Sequence, residues 1–276
     1  MKIRSTLIAV ALAFTPVAAF AASASPVNPI LAANSEVGIG FVQQQSNYSE
    51  NIPGVASDVE NGSMPGFDIF AKDNFNLFGV NNLYASVKYT RISGDTNYAD
   101  GGSTAQAQHV TNDVDVKLGK TFFLGSNSAV TPYIFGGYND WYRNVPSGLA
   151  APEDYTNGYA GVGAKYQLAV TKHLVLAADG GVGEVIGGNI SATVSPAAYY
   201  LYGYTGPSKL GMGLGDRPYY TLGLSADYRV QQHLHLVADA GYQDYMYGAS
   251  NPVDGLYEPS SQTSNFTVGL SMAYGF

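Results

Sequence analysis

The chain has 276 residues, of which 46% are hydrophobic but only 12% are charged, whereas an ordinary soluble domain carries about a quarter charged residues. This deficit indicates contact with lipid, yet no stretch beyond the N-terminus reaches the roughly 18 consecutive apolar residues of a membrane-spanning helix, so a crossing of the bilayer must use strands. The formal net charge of −8 argues against a nucleic-acid partner.

The N-terminus has the pattern of a secretory signal peptide. Two basic residues precede an apolar run over 7–20, and Ala19-Phe20-Ala21 forms a small-x-small cleavage site. We predict a signal peptide over 1–21, with a cut after residue 24 as the alternative. Either cut removes two of the 13 basic residues and moves the formal charge from −8 to about −10.

Residues 22–35 are predicted to form a periplasmic N-terminal segment ahead of the folded domain. The chain contains no Cys. Neither a disulfide nor a lipidated N-terminal cysteine is therefore available, although an exported location permits both. The fold of 36–276 must hold itself together.

From residue 36 onward, apolar side chains recur at every second position, the repeat of a strand whose two faces meet different environments. The C-terminus is the clearest case, because one of its faces is wholly apolar and the other is small and polar. The apolar face consists of Phe266, Val268, Leu270, Met272, Tyr274 and Phe276.

The alternation predicts ten strands, most of them with the roughly 9–11 residues that a tilted transmembrane strand requires. Eight strands are the alternative, because the alternation over 36–72 is weaker and Pro65 lacks the N–H that a strand ladder uses. The predicted strands cover 36–44, 64–72, 82–92, 109–122, 130–142, 158–169, 173–186, 217–229, 233–246 and 263–276.

The connections between these strands alternate in length. Short connections follow every second strand, as over 170–172 and 230–232, whereas long ones such as 187–216 follow the others. Short turns at one end and long loops at the other are the signature of bacterial outer-membrane barrels. The predicted fold class is therefore all-β, a transmembrane antiparallel up-and-down β-barrel over 36–276.

Two consecutive predicted hairpins match each other in sequence. The first contains His173-Leu174-Val175-Leu176 and reaches Asp179, and the second contains His233-Leu234-His235-Leu236 and reaches Asp239. In both, the even positions of the first strand are apolar and the odd positions are small or polar. Each hairpin is thus expected to present one face to lipid and the other to the barrel interior.

On these residues the chain resembles the small outer-membrane β-barrel surface antigens of Gram-negative bacteria, the class that includes the opacity-type proteins. The terminal Phe276 with its alternating apolar residues resembles the signal read by the barrel-assembly machinery. The resemblance implies a location in the cell outer membrane. It also implies outer-membrane lipid as a partner, with the assembly machinery and periplasmic chaperones during biogenesis. Opacity-type barrels usually have eight strands, so the predicted ten departs from that pattern.

Most charged residues of the strands fall on the parity that faces the barrel interior. Because a base facing lipid near the midplane costs about 2–4 kcal/mol, this segregation supports the assignment of faces. Enclosed charges of both signs are expected to pair and to plug the lumen, and a narrow polar pore is the alternative. The predicted lumen charge network consists of Asp68, Lys72, Lys88, Asp113, Asp115, Lys117, Lys165, Asp179, Asp227, Arg229 and Asp239.

A hydrolase site at the outer rim is the enzymatic alternative, with His109, Asp113 and Asp115 on one parity of one strand. The other histidines fall at or beside the predicted turns at the opposite end, so pairing of both aspartates with lumen bases is preferred. Four scattered His and no Cys give no spacing typical of a metal site. We therefore predict no catalytic, cofactor-binding or metal-binding residues and no cofactor.

Tyrosine and tryptophan near strand ends are predicted to form girdles at the two membrane interfaces; examples are Trp141, Tyr228, Tyr245 and Tyr274. The candidate surface-binding loop contains Tyr199, Tyr200, Tyr202 and Tyr204, rigid amphipathic side chains of the kind enriched in recognition surfaces. The same loop tyrosines also fit an outer girdle.

These patterns together predict a non-enzymatic outer-membrane barrel with a structural or adhesin-like surface role. Its loops, held on a rigid scaffold, are the expected contact with host or surface ligands. A narrow small-solute porin is the alternative, and a rim-site hydrolase is a third possibility.

Overall fold

The computed structural model describes residues 28–51, 54, 57–145, 150–196, 199–200 and 203–276. The predicted signal peptide over 1–21 and the alternative cut after residue 24 lie outside this part of the chain. Within it, no helix has the length and apolar character needed to cross a membrane.

One short helix, α1 (Pro29–Ala33), precedes the strands. The strands are β1 (Glu36–Asn51), β2 (Val59–Leu77), β3 (Val80–Ala99), β4 (Thr104–Lys120), β5 (Phe122–Phe123), β6 (Ser128–Asn144), β7 (Ala150–Ala169), β8 (Leu174–Val194), β9 (Lys209–Gly213), β10 (Arg217–Arg229), β11 (Leu234–Tyr247) and β12 (Ser260–Gly275).

Ten of these strands close into one antiparallel barrel. Neighbours in sequence pair along the wall, β8 pairs with β10, and β12 pairs with β1 to complete the ring. The short strands β5 and β9 are extra hairpin partners of β6 and β8 and are not part of the ring. The predicted all-β up-and-down barrel of ten strands is confirmed, and the eight-strand alternative is wrong.

The two ends of the barrel differ, as predicted. At the turn end, β2 and β3 are joined by Phe78 and Gly79, whose φ angles of 50° and 79° belong to a type I′ hairpin turn. At the loop end, the strands run on past their predicted bounds, so that β1 reaches Asn51 and β3 reaches Ala99. Beyond the apolar belt the outward face becomes polar, and the alternation that defined the predicted bounds is lost.

Pro65 lies inside β2 and is accommodated by a gap in one ladder. The pairs of β2 with β3 run to Asn61–Asn97 and resume at Gly66–Ile92, while Pro65 stays paired in register with Gln43 of β1. The gap around this proline is therefore confined to one side of β2, and the continuous ladder with β1 holds the strand in the wall.

The matched hairpins of the sequence form equivalent structures. The backbone carbonyl of His173 accepts from Arg229 N–H at 2.8 Å, and that of His233 accepts from Gly275 N–H at 2.9 Å. Each imidazole Nδ1 also lies against the carbonyl of the same partner, at 3.1 Å and 2.7 Å. The repeat thus ties each turn to the next strand of the wall.

The outward side chains form an apolar belt. All six residues of the C-terminal apolar face are 44–63% exposed, and Ile39, Val162 and Leu222 on other strands are exposed to a similar degree. An exposed belt of this extent around a polar interior inverts the usual arrangement of a soluble protein.

The aromatic residues assigned to girdles divide between the two faces. Tyr228 and Tyr274 lie outward with 50% and 57% exposure, but Trp141 and Tyr245 are 4% and 7% exposed inside the barrel. The girdle assignment of these two is wrong. For Trp141 the reason is that both faces of β6 are apolar in sequence, so hydrophobicity alone does not identify its inward parity.

Helix α1 occupies the turn end of the barrel interior. Its Ile30 and Ala33 are 0% and 3% exposed and pack with Ala129, Ala169 and Val175 on the inward faces of β6, β7 and β8. The described part of the predicted periplasmic segment 22–35 therefore lies against the inside of the wall.

Polar contacts fix this helix at both ends. Before it, Asn28 Oδ1 accepts from the Ile30 N–H at 2.9 Å, which caps the first turn. After it, Asn34 Oδ1 accepts from Lys165 Nζ at 2.9 Å, and the Asn34 amide donates to Gln167 Oε1 at 2.9 Å.

If α1 is an integral plug, replacing Ile30 with Ala should lower the free energy of unfolding by about 2–5 kcal/mol, because the lost side chain leaves a cavity among fixed wall residues. Urea titration followed by circular dichroism measures this loss. The half-buried Leu31 on the same helix is the matched control, and Leu31→Ala should cost clearly less. Equal small losses at both positions would show that α1 does not stabilise the barrel.

Candidate functional site

The middle of the lumen is crossed by ion pairs. Lys88 Nζ lies 2.9 Å from Asp68 Oδ2 and 3.9 Å from Asp239 Oδ2, and Lys117 Nζ lies 3.1 Å from Asp179 Oδ1. Asp68 lies on β2, the strand next to Lys88. The contacts of Lys88 on β3 with Asp239 on β11, and of Lys117 on β4 with Asp179 on β8, join strands that are not neighbours and so cross the lumen.

Each of the three paired aspartates faces a glycine on the neighbouring strand. The register pairs are Asp68 with Gly40, Asp179 with Gly223, and Asp239 with Gly269. A Cβ added at Gly223 or Gly269 would stand 2.8 Å from a carboxylate oxygen of the opposing aspartate. The missing side chain therefore makes the room that each carboxylate occupies.

A second charged group closes the lumen near its turn end. Lys72 Nζ lies 2.9 Å from Glu36 Oε1 and 4.0 Å from Asp227 Oδ2. His235 Nδ1 lies 2.7 Å from Asp227 and 3.2 Å from Glu36. Glu36, Asp227 and His235 bring their donor atoms within 4.8 Å of one another, as a metal site would. Lys72 already supplies a positive charge there, so the arrangement is that of an ion-paired cluster.

The remaining predicted lumen residues have different partners. Lys165 Nζ contacts Asn34 and lies 3.7 Å from the ring centroid of Tyr84. Asp113 accepts from Tyr159 Oη at 3.0 Å, and Asp115 lines the same interior space. Arg229 instead donates to the carbonyl of Lys172 at 2.7 Å, which places its guanidinium at the turn-end rim.

A cavity of about 280 Å³ remains between the two ends, lined by Asp68, Lys88, Asp115, Lys117 and Asp239 among others. It has room for several water molecules with charged partners. The interior is therefore a polar chamber.

Packed aromatic rings lie across the loop end of the lumen. The ring centroid of Trp141 of β6 lies 5.4 Å from that of Tyr48 of β1 and 4.7 Å from that of Tyr155 of β7. The centroid of Tyr155 in turn lies 5.8 Å from that of Tyr247 of β11. Of these four strands only β6 and β7 are neighbours in the wall, so the stack reaches across the lumen. We call Tyr48, Trp141, Tyr155 and Tyr247 the aromatic stack.

A buried arginine lies against this stack. Arg143, 4% exposed, places Nε 2.6 Å from Glu60, Nη1 2.6 Å from Glu153 and Nη2 3.6 Å from Glu50. Glu258 of the last loop accepts from Tyr155 Oη at 2.7 Å. We call Glu50, Glu60, Arg143, Glu153 and Glu258 the loop-end charge cluster.

His109 is fully occupied by its neighbours. Its Nδ1 lies 2.8 Å from Trp141 Nε1, and its Nε2 lies 2.7 Å from Glu60 and 2.8 Å from Thr96. An indole N–H can only donate, so Nδ1 accepts and the ring carries its proton on Nε2, where it donates to Glu60. His109 is therefore uncharged in this arrangement, and Asp113 bonds elsewhere.

The loop-end charge cluster lies beyond the apolar belt, because outward residues at its level, such as Asn47 and Asp154, are polar and exposed. Burial alone raises the pKa of Glu60, but the hydrogen bond from His109 and the charge of Arg143 outweigh it and lower that pKa. Burial raises the pKa of Glu50 to about 7, and the pKa of Glu258 is raised well above its ordinary value by burial and by the charge of Glu153.

The candidate surface-binding loop is partly described. Tyr199 packs edge-on against Tyr204, with 5.2 Å between the ring centroids. The Tyr199 hydroxyl donates to the carbonyl of Gly206, and the Tyr204 hydroxyl donates to that of Pro207. Tyr200 is 88% exposed, whereas Tyr202 lies outside the described residues. Within the described part, two tyrosines hold the loop and one is free to contact a partner.

Sequence parity assigned the lumen aspartates and lysines but missed the groups that close the two ends. Glu36 opens the first predicted strand, and His235 shares the parity of Asp239, so both were available to the same reasoning. Glu50, Glu153 and Glu258 lay in predicted loops, where no alternation marks an inward face.

The fold resembles that of solved outer-membrane barrels. The outer membrane protease OmpT from Escherichia coli matches with a TM-score of 0.54 at 10% identity, over 88% of this chain and 96% of that one. The translocator domain of the autotransporter NalP from Neisseria meningitidis matches with a TM-score of 0.41 at 15% identity, over 88% and 89% of the two chains. Ail, the attachment invasion locus protein of Yersinia pestis, matches with a TM-score of 0.34 at 12% identity, over 88% and 99%.

At such low identity the likeness to OmpT shows the fold alone, and the lower scores of the other two structures add no argument. No protein-family model and no curated protein sequence matches the chain.

Glu60 makes the stability of the loop end depend on acid pH. Because folding lowers its pKa below 4.5, its ionised form stabilises the protein fully above pH 4.5, and this contribution is lost as the pH falls through the lowered pKa. Glu60→Gln should therefore lower the free energy of unfolding by about 1.5–3 kcal/mol at neutral pH, the contribution of a hydrogen bond to a charged group, and the deficit should shrink on acidification.

Urea titrations of wild type and variant across the acid range measure this difference. Glu184→Gln changes an exposed outward glutamate of β8 and should show no such trend. A deficit of Glu60→Gln that stays constant with pH would show that the ionised carboxylate is not its source.

Proposed function

We propose that this protein is an outer-membrane β-barrel with a closed lumen, which acts through its outer surface in a structural or adhesin-like role. The turn end then faces the periplasm and the loop end faces the outside. The contacts of the aromatic stack across the lumen carry the proposal, because these rings join opposite walls of the barrel at its loop end.

Two features support the membrane location. The apolar belt surrounds the whole ring of strands, and the strands of a closed ring pair their backbone groups with one another instead of with water. The likeness of the fold to OmpT, which is described as an outer membrane protease, agrees with this placement. Recognition of the Phe266–Phe276 face by the assembly machinery, with periplasmic chaperones and outer-membrane lipid as further partners, belongs to the same proposal.

Three successive closures support a plugged lumen. Helix α1 and its contacts to Lys165 and Gln167 fill the turn end, ion pairs cross the middle, and the aromatic stack with Arg143 fills the loop end. A narrow channel requires all three to open together, so a non-conducting barrel is preferred over the small-solute porin.

The rim-site hydrolase has little support. OmpT is described as a protease, but here His109 has both nitrogens engaged and is 4% exposed. Asp113 bonds to Tyr159 and Asn139. A substrate at the rim would find neither a free base nor an open groove at these residues.

The surface role follows from what the loop end exposes. Tyr200 is 88% exposed and Tyr257 is 47% exposed, and both stand on loops supported by packed neighbours such as Leu210 and Leu256. Exposed tyrosines on a rigid base are suited to protein or glycan contacts with host or surface ligands.

Wild-type protein reconstituted into planar bilayers at neutral pH should show no stable single-channel openings. Removal of α1 alone should leave it silent, because the aromatic stack still closes the other end. Stable openings of the wild type would overturn the closed barrel and favour the porin alternative.

The membrane placement gives a second expectation. Leu270→Arg puts a base in the middle of the apolar belt and should lower the free energy of unfolding in lipid bilayers by about 2–4 kcal/mol. Asn47→Arg, on the polar outward face above the belt, is the matched control and should cost close to nothing. Equal effects measured by denaturant titration in lipid vesicles would argue against this position of the belt.

A further inference from the structure

The loop-end charge cluster holds more acid than its cation can balance. Among the described residues, Arg143 is the one arginine or lysine in ion-pair contact with these four glutamates. His109 adds no charge, because it accepts a hydrogen bond from Trp141. All four glutamates are at most 7% exposed, so water does not screen the excess.

The geometry separates the four carboxylates into two pairs. Glu60 and Glu153 each lie 2.6 Å from a guanidinium nitrogen, so these two are paired directly with the cation. Glu50 is held at 3.6 Å from Nη2, and Glu258 has the Tyr155 hydroxyl as its partner. Because like charges confined in one buried space cannot all ionise, Glu50 and Glu258 are the two that retain protons.

Among the residues that the structure describes, the surroundings of this pair offer no second cation. The groups that face the pair directly are Tyr48 from β1, Asp58 from the β1–β2 connection, Arg143 from β6, and Glu153 and Tyr155 from β7. Behind them, Tyr98 from β3 and Asp100 from the β3–β4 connection face Asp58, and Glu60 from β2 contacts His109 from β4. Apart from Arg143, these groups are acids or neutral side chains, so they further oppose the ionisation of Glu50 and Glu258.

Glu258 also ties down the last loop, residues 248–259. Its N–H donates to Ser250 Oγ at 2.8 Å, and its carbonyl accepts from the Ser250 N–H at 2.9 Å. Between them, Val253 and Leu256 pack against Val194 and Leu210. Repulsion at Glu258 therefore acts on the whole loop and not on one side chain.

We propose that the loop end carries a proton-dependent latch: protonated Glu258 and Glu50 keep the 248–259 loop seated over the aromatic stack, and loss of their protons at alkaline pH releases it. The latch rests on the proposed closed barrel, since it is the outer closure that it controls. The raised pKa values of both groups agree with this assignment, and their titration belongs to the cluster as a whole.

The protein contains its own reporter for this movement. Trp141 is its single tryptophan and lies inside the aromatic stack. Acrylamide quenching of the full-length protein in lipid bilayers should be weak below pH 7 and several-fold stronger at alkaline pH, with a red shift of the emission. The range should stop short of the ordinary tyrosine pKa of about 10.

Glu50→Gln, Glu258→Gln and the double variant keep the hydrogen-bonding shape without a removable charge, so they should hold Trp141 protected at alkaline pH. Glu184→Gln should behave as wild type. Heat-modifiable gel mobility checks that each variant is folded. A wild-type Trp141 that stays protected over the whole range overturns the latch, and so does a transition that survives in the double variant.

The outcomes separate the latch from the closed barrel. If the wild type shows no single-channel openings at neutral pH and the quenching of Trp141 does not change with pH, the latch is overturned and the closed barrel remains supported. Openings of the wild type at neutral pH overturn the closed barrel, whatever Trp141 shows.

Discussion

The structure depends on the closure of the backbone ladder between β12 and β1. This ladder pairs Glu36 with Gly275 at one end and Asn51 with Ser260 at the other, so that the first and last strands complete the ring. A closed ring has no edge, and its side chains must point either outwards or inwards. Every other feature, from the apolar belt to the enclosed charges, is a consequence of that division.

The sequence carried this division where the two environments differ. Alternation from Phe266 to Phe276 marked the last strand, and the short connections 170–172 and 230–232 marked the turn end. In these regions alternate side chains meet a polar interior and an apolar exterior, so the sequence pattern indicates the face of each residue. These regions favoured ten strands, whereas the weaker alternation over 36–72 left eight as the alternative.

The same reasoning failed where the environments become alike. Past the belt, β1 continues with polar residues on its outward face, and Glu50 at its inner face looks no different from a loop residue. Trp141 resembled an interface residue because β6 is apolar on both parities. The loop-end charge cluster needs residues from five parts of the chain, and only their three-dimensional arrangement shows that one arginine contacts several glutamates.

The glycines opposite Asp68, Asp179 and Asp239 have a consequence for how such a protein can change. In a narrow barrel, the adjacent strand supplies the space for an interior charge, so each of these aspartates requires the glycine opposite it. Widening the interior into a channel would therefore require substituting the aspartate and its opposing glycine together. A single substitution at one member leaves its partner either crowded or facing an empty gap.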